Sequence, residues 1–467
     1  MIGVRHVIIS IMIILYFALL IPVEIRGEDK SAANKKENEY EKFLQDIPTK
    51  KAAAVNKVPG MKKKSDSIIL NLFGTAMLWS SFNFAHKAPV AEQTDYRGFS
   101  SLKQHINLNL EVNQPGKWRI LVGGKLFYDF IYDIKGQGKY TDEVLDAYLF
   151  ILELDEAYLM WGLTRYFDFK VGRQIINWGK SSYASVVDVL NPRDYRSPYL
   201  INLKDLRLPV LMSCVDFNFL PHWTLSGIAV HEIRFNKTST YGSDFYIFDT
   251  PITDEIIPRQ GGKNTEFGLS LLGYMKNLDL GFYWSRFFDD RTYQDYHLSD
   301  SGRYHAMIDM IGITGVFMSG SFTFSLETAL FNKLRYTGSD KEFSRYDLMC
   351  GVEYVGINDM VITFEAINQT ILNLDEDLRQ NYNKNEFKTI LTITKSFLHS
   401  TFHIDFQSTI FGLRAEGGAY QRLKISYDLN DFYTIMLGAI FYQPGQWYHH
   451  RKIGDKDRLF FQLTYQF

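Results

Sequence analysis

The chain has 467 residues, with 51 Lys and Arg against 53 Asp and Glu, for a formal net charge of −2. That balance gives no electrostatic footprint for nucleic acid, and two cysteines far apart, Cys214 and Cys350, make no disulfide framework. Aromatics reach 15% of the chain, a high load for a soluble enzyme, yet after the N-terminus no apolar run approaches the roughly 18 residues of a spanning helix, so any membrane crossing must be made by strands.

In chain order, Arg5 and His6 precede an apolar stretch from Val7 to Ile21, closed by Pro22. A basic start followed by such a stretch is a secretory signal pattern, assigned to residues 1–27 with cleavage after Gly27, although Ile25 stands where a small residue is expected. Residues 28–67 are rich in Lys, Asn, Glu and Ala, almost without aromatics, and Lys62, Lys63 and Lys64 lie near their end. They are expected to form a flexible periplasmic extension.

From Ile68 to Phe467 the sequence alternates. Ile106, Leu108, Leu110 and Val112 interleave with His105, Asn107, Asn109 and Glu111; Leu423, Ile425 and Tyr427 interleave with Arg422, Lys424 and Ser426. A period of two puts each set on one face of a strand. Links such as Lys276-Asn277, Ser319-Gly320 and Asn430-Asp431 are short, and those over 85–100, 179–205, 236–264 and 444–456 are long. Short periplasmic turns, long outer loops and an even strand count define the expected architecture: an all-β, transmembrane, antiparallel up-and-down β-barrel of about 18 strands, with 16 as the alternative. The last strand carries Leu459, Phe461, Leu463, Tyr465 and Phe467 on one face. Phe461, Tyr465 and the terminal Phe467 resemble the signal read by the barrel-insertion machinery, so that machinery and outer-membrane lipid are the expected partners.

A barrel of this size can enclose a water-filled lumen. Lys125, Asp129, Glu327, Glu365, Asp405, Arg422 and Lys424 fall on the polar faces and are assigned to its wall, because a Lys or Arg at mid-depth against lipid costs about 2–4 kcal/mol. The segment after the fifth strand differs from other loops: Val186, Val187, Val189 and Leu190 are too apolar for a loop bathed in water. It is expected to fold inward over 179–205 as a constriction with Arg173, Asn177, Asn191, Arg193, Asp194 and Arg196. Alternation from Phe167 through Val171 puts Arg173 outward, so its inward placement requires a bulge at Gly172, leaving Ile176 and Trp178 outward. His449-His450 is a weak metal candidate; a solvated pair is the plainer reading. No catalytic motif or cofactor-binding loop stands out, which argues against an enzyme and leaves no cofactor to assign.

Gly172-Arg173-Gln174, Trp178-Gly179 and Asn191-Pro192-x-Asp194 resemble the signature of an uncharacterised porin-like family of Gram-negative outer-membrane barrels, and Gly-Arg-Gln at a strand end is more distantly similar to alginate-export-type barrels. The resemblance implies an outer-membrane channel for small solutes. An exporter of an anionic polysaccharide would need a continuous basic path, which the excess of acids on the inward faces disfavours. A scaffold sheathing a periplasmic partner would use the 28–67 extension.

Overall fold

The computed structural model describes residues 67–89, 94–181, 183–200, 206–295 and 302–467. The signal segment and nearly all of the 28–67 extension lie outside these. Eighteen strands follow one another: β1 Ile69–Asn83, β2 Gly98–Gln114, β3 Trp118–Asp129, β4 Phe150–Gly162, β5 Phe167–Gln174 and β6 Val210–Leu220. The middle set is β7 Trp223–Val230, β8 Glu266–Tyr274, β9 Leu278–Gln294, β10 Arg303–Ser319, β11 Phe322–Leu334 and β12 Phe343–Ile357. The last set is β13 Met360–Leu372, β14 Asn385–Phe397, β15 Phe402–Phe411, β16 Gly418–Asp428, β17 Tyr433–Gln443 and β18 Arg458–Gln466.

Each strand pairs antiparallel with its neighbours in sequence, and β1 closes the ring on β18, from Thr75 opposite Gln466 to Asn83 opposite Arg458. Closure leaves no open edge, the condition for backbone polar groups to survive in hydrocarbon. The seam extends to the C-terminus, where Phe467 and Gly74 exchange backbone hydrogen bonds of 2.9 and 3.1 Å. Alternation dictates the outside: Leu108, Leu110, Ile120, Leu152, Leu269, Ile311, Leu326, Phe364 and Leu437 are all exposed. Such a belt is stable only against lipid.

Two short helices interrupt the β3–β4 link, α1 at Ile131–Lys135 and α2 at Asp142–Tyr148, the latter capped by Thr141, whose hydroxyl accepts from the Val144 N–H at 3.3 Å. Both thiols are free, Cys214 buried and Cys350 exposed.

The interior departs from a simply polar wall. On β6 the lumen face carries Val210, Met212 and Cys214; on β10, Ile308 and Met310; on β12 and β13, Met349 and Ile367, all buried. Strands apolar on both faces lose their alternation, and something else must cover the inner one. The loops supply that cover.

Candidate functional site: the lumen

The chain leaves β5 at Gln174 and rejoins the wall at Val210, and the described residues between include an apolar set that packs inside the barrel. Trp178, Val186, Val187 and Leu190 form one apolar cluster with Met212, Ile228, Tyr283, Met310 and Met349. A Cβ on Gly268 would stand 2.8 Å from the Trp178 ring, so glycine makes the seat of that indole. Polar anchoring centres on Glu327, fully buried on β11. Its Oε1 accepts from the backbone N–H groups of Lys180 and, at 2.7 Å, Ser181; its Oε2 accepts from Ser185 Oγ at 2.7 Å and the Val186 N–H at 2.9 Å. Ser181 Oγ donates to Glu365 Oε2 at 2.8 Å. Four donors on one carboxylate explain how a charge can be buried here.

Asn191 pins the two ends of the segment together. Its Oδ1 accepts from the Ile176 N–H at 2.8 Å, and its Nδ2 donates to the carbonyls of Gln174 and Leu208 at 3.2 and 3.0 Å. Asn177 is exposed. The expected bulge at Gly172 is absent: β5 runs in register against β4 and β6, Arg173 opposite Ala157 and Leu211. Arg173 therefore stays on the outward face with exposed Leu211, 3.2 Å from Glu232, away from the lumen. Trp178 and Ile176 point inward into the apolar cluster rather than outward. The irregularity lies one strand earlier, where Asp155 and Glu156 of β4 together oppose Gly123.

A second cluster fills the other side of the lumen. Tyr199 stacks on Tyr420 at 4.2 Å, and Leu200, Phe245, Phe411, Tyr442 and Phe460 close around it. His450 is no solvated loop residue; it is buried, with Nε2 2.8 Å from the Tyr199 hydroxyl and Nδ1 2.8 Å from the Gly417 carbonyl. Arg422 donates to the Tyr199 carbonyl at 3.0 Å and to Gln407 Oε1 at 2.6 Å. The β7–β8 loop is tied in by Asp244, which bonds Arg458 at 2.8 Å and Lys456 at 3.2 Å with His86 at 3.5 Å. Burial alone would raise the Asp244 carboxyl, but Arg458, His86 and Lys456 outweigh it and hold it far below the ordinary carboxylate range.

Between the inserted segment and strands β9–β14 remains a cavity of about 340 Å³. Val186, Val189, Phe287, Ile308, Phe331 and Ile367 form its apolar lining, and Arg193, Arg207, Arg291, Arg345 and Lys388 face Asp188, Asp289, Asp290 and Asp347 across it. Asp188 Oδ2 takes both Arg193, at 2.8 Å, and Arg207, at 2.7 Å. Arg291 pairs with Asp289 at 3.1 Å, and Arg345 with Asp347 at 2.8 Å.

Of the polar residues assigned to the constriction from sequence, Arg193 alone reaches this cavity, beside Val186 and Val189 of the same segment. Asp194 and Arg196 pair with each other, Nε to Oδ1 at 2.9 Å, and Arg196 also bonds the Ala147 carbonyl near the end of α2. Lys125 lies 3.6 Å from Glu153 and 3.4 Å from Asp155; Asp405 and Lys424 lie 3.4 Å apart. Asp129 is buried at the end of β3, accepting from Ser101 Oγ at 2.6 Å and the Leu102 N–H at 2.8 Å. Sequence reading missed Arg207, Arg291, Arg345, Asp347 and Lys388, although each stands on or beside a strand whose outward face is apolar. Among the described residues, no group of three or more His, Cys, Asp or Glu side chains could hold a metal ion.

Solved barrels share the fold. A BenF-like porin from Pseudomonas fluorescens Pf-5 is 10% identical with a TM-score of 0.52, over 86% of this chain and 99% of that one. Pseudomonas aeruginosa OpdK, crystallised with vanillate, is 10% identical with a TM-score of 0.50, over 85% and 98%. No curated protein matches the sequence. Residues 93–467 match a family model described as a protein of unknown function, DUF1302, and the chain belongs to that family.

Proposed function

We propose that this protein is an outer-membrane channel through which small solutes diffuse or are selectively taken up, with the 175–209 segment setting the width of the passage. The observation that carries this reading is the docking of Lys180, Ser181, Ser185 and Val186 on Glu327, within a closed 18-stranded barrel. A segment held by four hydrogen bonds and an apolar cluster stays inside the lumen and narrows it. Of the residues assigned to the constriction, Arg193 acts at the passage, Asn191 fixes the ends of the segment, and Arg196 with Asp194 braces it against α2. The likeness to porins adds support at the level of fold. A cavity of about 340 Å³ suits one small molecule rather than a polymer strand, which disfavours polysaccharide export.

Liposome swelling tests the reading. Vesicles carrying the refolded full chain are expected to swell in small sugars or carboxylates and not in oligosaccharides. Swelling no faster than that of protein-free vesicles in every solute would refute it.

A further inference from the structure

The cavity in the lumen has one cation that differs from the rest. Lys388 lies on the inner face of β14, paired in the ladder with Ile367 and Phe411, both buried. Arg193, Arg207, Arg291 and Arg345 are all spent on carboxylates. Lys388 has no hydrogen-bond or ion-pair partner among the described residues, yet it lines the same cavity. Asp347, a carboxylate of the same cavity, is bonded by Arg345 at 2.8 Å and by Gln369 Nε2 at 2.6 Å rather than by Lys388. An ammonium in a partly dehydrated lumen that no carboxylate bonds directly is poorly compensated, and an incoming anion in contact with it relieves that.

Beside the charges, the wall is apolar. Phe331 lies under the Arg345 guanidinium at 4.5 Å, and Phe287, Ile308 and Ile367 continue that surface. A cation set beside aromatic and aliphatic side chains matches a ligand with a negative head and an apolar body.

We infer that this cavity is a binding site for a small carboxylate with an apolar body, whose carboxylate sits on Lys388 and whose body lies against Phe287 and Phe331. The inference rests on the channel reading for its biological meaning, but the site can exist without conduction.

The test uses the refolded full chain in detergent with benzoate as the probe and benzyl alcohol as its neutral counterpart, followed by titration calorimetry. Benzoate is expected to bind and benzyl alcohol to bind far more weakly. Lys388→Met should lose about tenfold or more in benzoate affinity, as one charge-assisted contact implies, and Lys388→Arg should retain most of it. Heat-modifiable mobility on gels checks that both variants are folded barrels. The same proteins in planar bilayers should show a shift toward cation selectivity for Lys388→Met. Absence of benzoate binding to the parent, or equal binding by the parent and Lys388→Met, overturns the site. Benzoate binding without any conductance would instead overturn the channel reading and leave the site standing.

Discussion

Replacing Glu327 by Ala should release the segment that fills the lumen without unfolding the barrel. The carboxylate serves three backbone N–H groups, those of Lys180, Ser181 and Val186, and the Ser185 hydroxyl. Removing it leaves these donors without their acceptor, and a buried donor so orphaned costs about 1–3 kcal/mol. Water entering the lumen recovers part of this, so the docked state should lose about 3–6 kcal/mol. At about 1.4 kcal/mol per factor of ten, the ratio of docked to released segment falls by roughly 10²–10⁴. The ladder of β11 with β10 and β12 is made by backbone groups and is untouched. Glu327→Gln should fall between, because its amide keeps one acceptor and turns a donor toward Ser185 and Val186. Limited proteolysis after Lys180 and conductance in planar bilayers give the readouts: the Ala variant should be cut faster and should show larger, noisier current steps. Unchanged cleavage and unchanged conductance in a correctly folded Glu327→Ala protein would refute the argument that this carboxylate holds the segment.

Other perturbations act on separate parts. Deleting Phe467 removes the backbone pair with Gly74 and the ring stacked on Tyr465 at 5.8 Å, so it should lower the yield of heat-modifiable barrel in the membrane while leaving the selectivity of the folded fraction unchanged. The double change Arg193→Ala with Arg207→Ala leaves Asp188 without its two bonded cations and should move the reversal potential in a salt gradient toward cation selectivity, whereas Arg196→Ala, remote from the cavity, should not. Asp244 has a lowered carboxyl pKa in the folded state, so its contribution is complete above the unfolded value of about 4 and declines as pH falls toward the folded value. Protease sensitivity of the 231–265 loop in Asp244→Asn should therefore exceed that of the parent most at neutral pH, with the gap closing below about pH 4.

The strands were legible because lipid imposes a rule on every residue of one face. Leu108, Leu110, Leu423 and Ile425 must be apolar, and alternation follows. Where the inner face is apolar too, at Met212, Met310 and Ile367, that signal weakens, and only the valines of the inserted segment hinted at what covers it. Arg173 was misplaced because a bulge was invoked to keep a charge from facing out. At the outer end of β5 the guanidinium instead finds Glu232, so plain alternation was the better guide. The cavity's charged set could not be assembled from sequence: Arg291, Arg345 and Lys388 stand on β9, β12 and β14, Arg207 lies before β6, and only the packing of the inserted segment against those strands brings them together. The cap at Thr141 was readable as Thr-Asp-Glu before an apolar position, a signal for α2 that strand periodicity overshadowed.

The central claim, a barrel whose passage is set by its own inserted segment, is tested most directly by single-channel recording. The parent chain would be compared with one in which residues 179–190 are replaced by a short Gly-Ser link. The account predicts discrete current steps from both, several-fold larger in the shortened chain because a lumen filled on that side becomes open water. Steps of equal size from the two proteins, or no steps from either folded barrel, would contradict it.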